Sequence, residues 1–196
     1  MDTEQIFDAV ESGDIELVKS MLDNGVNVNA KDEYGRTALH EACEYGYTEI
    51  VKLLIKHGAI VNAKDGGDED GMAPLHRACI NGHTEIITLL LENGADINTK
   101  GEDEYEWTPL HWTCARNRIE TVKFLLENGA DINAKDDYGR TALYWTCEYE
   151  NIELTKFLIQ NGADVNAKDD YNETILHHAC KGGNIEIIKL LLEKWC

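Results

Sequence analysis

Residues 108–133, TPLHWTCARNRIETVKFLLENGADIN, decide the fold. Thr108-Pro-Leu-His111 opens the stretch, Ile119, Val122, Leu125 and Leu126 follow at helical spacing, and Asn128-Gly-Ala-Asp-Ile-Asn133 closes it. A Thr before an apolar-periodic run caps a helix, apolar residues three and four apart make one buried face, and a Gly just past that face ends it. One such segment has too little apolar area to fold alone, and it recurs. Equivalent openings stand at Thr37-Ala-Leu-His40, Ala73-Pro-Leu-His76, Thr141-Ala-Leu-Tyr144 and Thr174-Ile-Leu-His177, so that successive openings are 36, 35, 33 and 33 residues apart. Apolar-periodic stretches such as 49–55 follow them, and copies of Asn-Gly-Ala-Asp-Ile/Val-Asn occupy 93–98 and 161–166. An N-terminal stretch lacking the opening aligns through Ile6, Val10, Gly13, Val18, Leu22 and Gly25. A period of this length signals an array in which neighbours must stack to bury their apolar faces.

These motifs resemble the ankyrin repeat over the whole chain. The resemblance implies an all-α solenoid of stacked helix-turn-helix units with hairpin loops and a concave face. It would be a single domain, 1–196, of six repeats at about 1–31, 32–64, 65–100, 101–135, 136–168 and 169–196, with the outer two as caps. Leu39, Leu75, Leu110, Leu143 and Leu176 are expected to point inward, each with a small residue three places later. Gly46 and Gly82 are expected to end the first helix of their repeats in the left-handed conformation. Asn117 is a tolerable substitute there, whereas Glu150 predicts either local strain of about 1 kcal/mol or a helix that ends differently.

Composition narrows the function. The 196 residues hold 18 Lys plus Arg against 37 Asp plus Glu, a formal charge of −19, and 43% are hydrophobic. The apolar fraction is that of a globular chain. The acidic balance repels phosphate backbones and anionic lipid, which excludes nucleic acid and membrane surfaces as main partners. Met1-Asp2-Thr3-Glu4 does not open a secretion signal, and no window approaches a membrane span.

Cys43, Cys79, Cys114, Cys147 and Cys180 share one slot, as do His40, His76, His111 and His177, with Tyr144 replacing His in the fifth repeat. Stacked helices run about 8–10 Å apart, too far for a disulfide. The thiols are therefore expected as buried core residues of a reducing compartment, cytoplasm or nucleus, which also fits delivery into a host cell. In the ankyrin repeat that His bonds the neighbouring hairpin backbone, and four copies of one catalytic base make no mechanistic sense. His57, His83 and His178 have no nearby nucleophile, and neither a phosphate loop nor a metal-ligand spacing appears. The expectation is a chain without catalytic residues, metal or cofactor.

Functional information should sit where the copies differ. The connectors 64–73 and 100–108 are three and two residues longer than 31–37, and both insertions are acidic. Asp68, Glu69, Asp70, Glu102, Asp103 and Glu104 are thus expected to steer a cation. Aromatics gather in the fourth and fifth repeats: Trp107 before the opening, Trp112 after it, Trp145 in the same slot one repeat on, and Tyr149 a turn later. Other copies hold Arg36 or Met72, then Glu41, Arg77 or His178, at these slots, so the positions are read as water-facing and the indoles as an exposed hot spot. Tyr105, Arg116, Glu148 and Arg77 complete the candidate site.

The spacings of 5 and 33 between Trp107, Trp112 and Trp145 make this group similar to the methyl-lysine-reading ankyrin domains of the euchromatic histone lysine methyltransferases. That similarity implies a cage around a methylated ammonium held by cation–π attraction. The family has an acidic residue where this chain has Ala115; Glu148 on the next repeat is the available replacement, and Arg116 suits a carboxylate instead. The expected function is non-enzymatic binding of a basic or lysine-containing peptide by a monomer. Two alternatives remain at this stage: a small-molecule sensor or sponge for a choline-like cation, sugar or base, and a structural scaffold or dimer joined through Trp195 at the C-terminal end.

Overall fold

The computed structural model describes residues 4–66, 71–102 and 104–194. Among them are twelve α-helices in consecutive antiparallel pairs: α1 (Glu4–Glu11) and α2 (Ile15–Asp23), α3 (Ala38–Tyr45) and α4 (Thr48–Lys56), α5 (Pro74–Asn81) and α6 (Thr84–Glu92), α7 (Pro109–Ala115) and α8 (Ile119–Glu127), α9 (Ala142–Glu148) and α10 (Ile152–Gln160), α11 (Ile175–Gly182) and α12 (Ile185–Lys194). Extended pairing among the described residues is limited to single bridges across the connectors, Lys31 with Thr37, Lys135 with Thr141 and Lys168 with Thr174. Two compact units, Met1–Asp103 and Glu104–Cys196, carry three helix pairs each. In the first, α1 lies on α3 and α3 on α5; in the second, α7 lies on α9 and α9 on α11.

The recurring slots make the core. Leu39, Leu75, Leu110 and Leu143 are fully buried, and so are Ala42, Ala78, Thr113 and Thr146 three places on. The two threonines are accommodated because each hydroxyl donates to a backbone carbonyl, Leu110 O and Leu143 O, at 3.0 Å. Leu176, expected inward, is only partly buried, since among the described residues no further helix pair covers that face. Cys180 is exposed for the same reason, which corrects its expected place in the core. Cys43, Cys79, Cys114 and Cys147 are buried. Burial pushes the Cys147 thiol up to about 12 and the other three higher still, so none offers a thiolate at neutral pH.

The histidines tie each helix start to the next connector. Thr37 N–H donates to His40 Nδ1 at 3.0 Å, which leaves Nε2–H to donate to Met72 O at 3.0 Å. His111 repeats this with Thr108 N at 3.2 Å and Arg140 O at 3.3 Å. Burial, partly offset by the charge of Asp65, pushes the His40 ring down to about 4, so the fold holds it neutral. Its folded value lies below the ordinary unfolded one, so the stability it contributes is complete above about pH 6.5 and drains away as pH falls toward about 4.

Left-handed turns end the first helices as expected: Gly46 at φ 80° and Gly82 at 77°, with Asn117 at 53° and Glu150 at 55° in the corresponding places. Glu150 is the costly member, because its Cβ crowds the following carbonyl where Gly has none. Two outcomes follow. Glu150→Gly should raise stability by about 1 kcal/mol, read as a higher urea midpoint at unchanged slope. Between about pH 6.5 and pH 4 the urea midpoint of the parent chain should also fall relative to that of His40→Asn.

Candidate functional site

The connectors are organised by one aspartate that follows the recurring Lys of the hairpin in four of the repeats. Asp136 Oδ1 accepts the N–H groups of Tyr138 and Arg140, both at 2.9 Å, and its Oδ2 accepts Arg140 Nε at 3.0 Å and Trp145 Nε1 at 3.1 Å. Asp32 Oδ1 likewise takes Tyr34 and Arg36 N–H while Oδ2 takes Arg36 Nε at 2.8 Å. Asp65 accepts Met72 N–H and Arg77 Nη2, and Asp169 accepts Tyr171 and Glu173 N–H with His178 Nε2 at 2.8 Å from Oδ2. Against the burial that pushes it up, the Glu173 amide and the His178 ring hold the Asp169 carboxyl below its ordinary value. The variable slots therefore supply the donor that each buried aspartate needs. Gly101 stands where the fourth repeat lacks that aspartate, and there both slots are indoles, Trp107 and Trp112.

This overturns the expectation that the slots face water. Trp107 and Trp145 are each only 7% exposed, and Glu41 in the same slot is likewise buried. The predicted aromatics do come together within Glu104–Cys196. Trp107 meets Trp112 at 4.7 Å and Trp145 at 4.5 Å between ring centroids, Tyr105 lies 5.7 Å from Trp107, and Tyr149 stacks on Trp145 at 6.0 Å. Edge-to-face contacts of this kind add to the burial itself. The rings already hold a cation of the chain's own, since the Arg140 guanidinium lies 4.3 Å from the Trp145 centroid, 4.5 Å from Tyr138 and 5.2 Å from Tyr144. Sequence reasoning missed Arg140, Tyr138 and Tyr144; Arg140 has a visible counterpart in Arg36, four residues after its aspartate.

The remaining candidates are placed as follows. Trp112 is partly exposed, and Tyr105, Arg116, Glu148 and Tyr149 are exposed, Tyr149 by 52%. Glu104 accepts the Tyr138 hydroxyl at 2.9 Å, and Glu102 is exposed. Arg77 belongs to Met1–Asp103, where Asp65 at 2.8 Å and Glu44 at 3.7 Å engage it. Asp68, Glu69, Asp70, Asp103, Trp195 and Cys196 lie outside the described residues.

Asp169, Glu173 and His178 bring three potential metal-ligand atoms within 4.8 Å of one another. Their hydrogen bonds account for the grouping without an ion: His178 serves Asp169 as Trp145 serves Asp136, and Lys181 Nζ donates to both Glu173 oxygens at 2.7 Å. Among the described residues no helix is long and apolar enough to cross a membrane.

The family profile for ankyrin repeats in three copies matches residues 6–101, 67–136, 100–169 and 128–196. The chain belongs to the ankyrin repeat family. Its structure is similar to the crystal structure of the human ASB11 ankyrin repeat domain, with a TM-score of 0.82 and 30% identity over 97% of this chain and 83% of that one. A putative ankyrin repeat protein of fowlpox virus, strain NVSL, is 49% identical over 37 residues, which are 19% of this chain and 26% of the viral protein. This ankyrin repeat protein thus spans about a quarter of that relative's length. Ankyrin repeats are in general protein–protein interaction modules, typically without catalytic activity.

Asp136→Ala should cost this ankyrin repeat protein about 3 kcal/mol, because Arg140 and the Trp145 N–H are then left without their acceptor in a largely dry site. A urea midpoint that does not move would show that the rings alone hold Arg140.

Proposed function

We propose that this ankyrin repeat protein is a non-enzymatic interaction module that holds a basic, lysine-containing segment of a protein partner on the aromatic, acidic edge of Glu104–Cys196. The observation that carries the reading is Tyr149: a ring 52% exposed, stacked on buried Trp145 and bordered by exposed Glu148 and Glu150. A rigid ring face beside carboxylates attracts an ammonium and covers its aliphatic stem. Trp112 and Tyr105 extend the surface, Trp107 and Trp145 support it from below, and Glu104 adds to the attraction. Arg140 among the inner rings favours a ligand held on ring edges and carboxylates over a methylated ammonium enclosed by the three indoles.

Titration of intrinsic tryptophan fluorescence with a lysine-rich peptide and its trimethyl-lysine twin tests this. Both should quench saturably, more weakly at high salt. Tyr149→Ala should weaken binding about fivefold, roughly 1 kcal/mol, with the melting temperature unchanged. Quenching by the trimethylated peptide alone would restore the enclosed cage, and no quenching by either would remove the surface as the binding site.

A further inference from the structure

Within Met1–Asp103, α1, the first connector and the start of α3 enclose an open cleft of about 620 Å³. Its wall carries Glu4, Asp8 and Glu11 of α1 and Glu33 of the connector, and its two basic residues are already engaged. Lys31 Nζ donates to Lys64 O at 2.8 Å, and Arg36 places Nε and Nη2 each 2.8 Å from Asp32 Oδ2. Glu41 also lines the cleft. It occupies the slot of Trp112 and Trp145, is 7% exposed, and one of its oxygens reaches Arg36 Nη2 only at 3.3 Å. The other oxygen, Oε2, is buried with no hydrogen-bond partner. Leaving a carboxylate oxygen dry and unbonded is costly, and nothing in the core packing requires an acid here, since related repeats fill the slot with an indole.

We propose that this cleft is a receptor for an arginine side chain of a peptide partner, with Glu41 as the carboxylate that receives the guanidinium. The planar fork of a guanidinium suits the chemistry: it can donate to Oε2 and to a second wall carboxylate at once, and its flat face and stem suit the exposed Tyr34 and half-buried Phe7. A compact ammonium satisfies one acceptor and stacks less well. Arg36 over the Tyr34 ring, 5.1 Å from its centroid, shows the same pairing made internally. The site lies in a different unit from the tyrosine and tryptophan surface and stands independently of it.

Burial, opposed by the Arg36 charge, pushes the Glu41 carboxyl up to about 7; Asp32 on the connector, Glu11 on α1 and Glu44 on α3 push the same way. The folded value is above the ordinary one, so charged Glu41 destabilises the empty fold as pH rises, and a bound guanidinium relieves that penalty. Arginine affinity should therefore climb with pH.

The test is a nuclear magnetic resonance titration of the full chain with acetyl-arginine-amide, acetyl-lysine-amide and acetyl-citrulline-amide. Acetyl-arginine-amide should give saturable amide shifts at Phe7, Tyr34, Arg36 and Glu41, about tenfold tighter at about pH 8 than at about pH 6. Citrulline, isosteric but uncharged, should give none. Glu41→Gln removes a buried charge and should fold at least as stably, yet lose at least about tenfold in arginine affinity at about pH 8. Tyr149→Ala should leave that affinity unchanged. The proposal is overturned if acetyl-arginine-amide shifts no resonance in the cleft, if the lysine or citrulline amide shifts the cleft resonances equally, or if the cleft of Glu41→Gln binds arginine like the parent chain.

Discussion

A carboxylate largely shielded from water, which must be given donors, governs four of the connectors. Asp32, Asp65, Asp136 and Asp169 use one oxygen to accept backbone N–H groups and so fix the turn, and the other to accept a side chain from the turn itself or the helix that follows. Because that second acceptor is dry, the residue reaching it is constrained to be a donor: Arg36, Arg77, Trp145 with Arg140, or His178. Where the aspartate is present, at least one variable slot is thus held to a donor. The histidine then passes the constraint along, since its Nε2 bonds the carbonyl at the far end of the next connector.

The fourth repeat illustrates the rule by breaking it. With Gly101 in the aspartate's place no carboxylate there asks for a donor, and Trp107 and Trp112 pack on each other instead. Trp145 belongs to both regimes, its N–H serving Asp136 and its faces meeting Trp107 and Arg140. The aromatic group is therefore first a packing solution, and its capacity to bind rests on the part left outside, the ring of Tyr149 and the edges of Trp112 and Tyr105.

Periodicity made the helices, the buried Leu and Cys slots and the place of Glu150 legible, because these depend on local spacing that the repeats share, and the resemblance to ankyrin repeats supplied the histidine ties. Leu176 and Cys180 departed from the rule because burial in a stack needs a neighbour on both sides, which a spacing pattern does not record. The role of the tryptophans was hidden for another reason. Polar residues at Glu41, Arg77 and His178 looked like a mark of solvent, whereas Arg77 and His178 are polar because an aspartate faces them and Glu41 faces Arg36. The donors lie 4, 12, 9 and 9 residues from their aspartates, so no single offset exposes the pairing. Arg140 escaped because cation–π neighbours are set by the fold rather than by sequence distance.

Cys43, Cys79, Cys114 and Cys147 give four successive repeats one sealed thiol each in the same structural slot. A thiol shut away from solvent reacts only when its own surroundings come apart. The array thereby carries a ladder of built-in probes, each timing the opening of one rung, and the order in which a small alkylating reagent caps them would chart how unravelling travels along the chain.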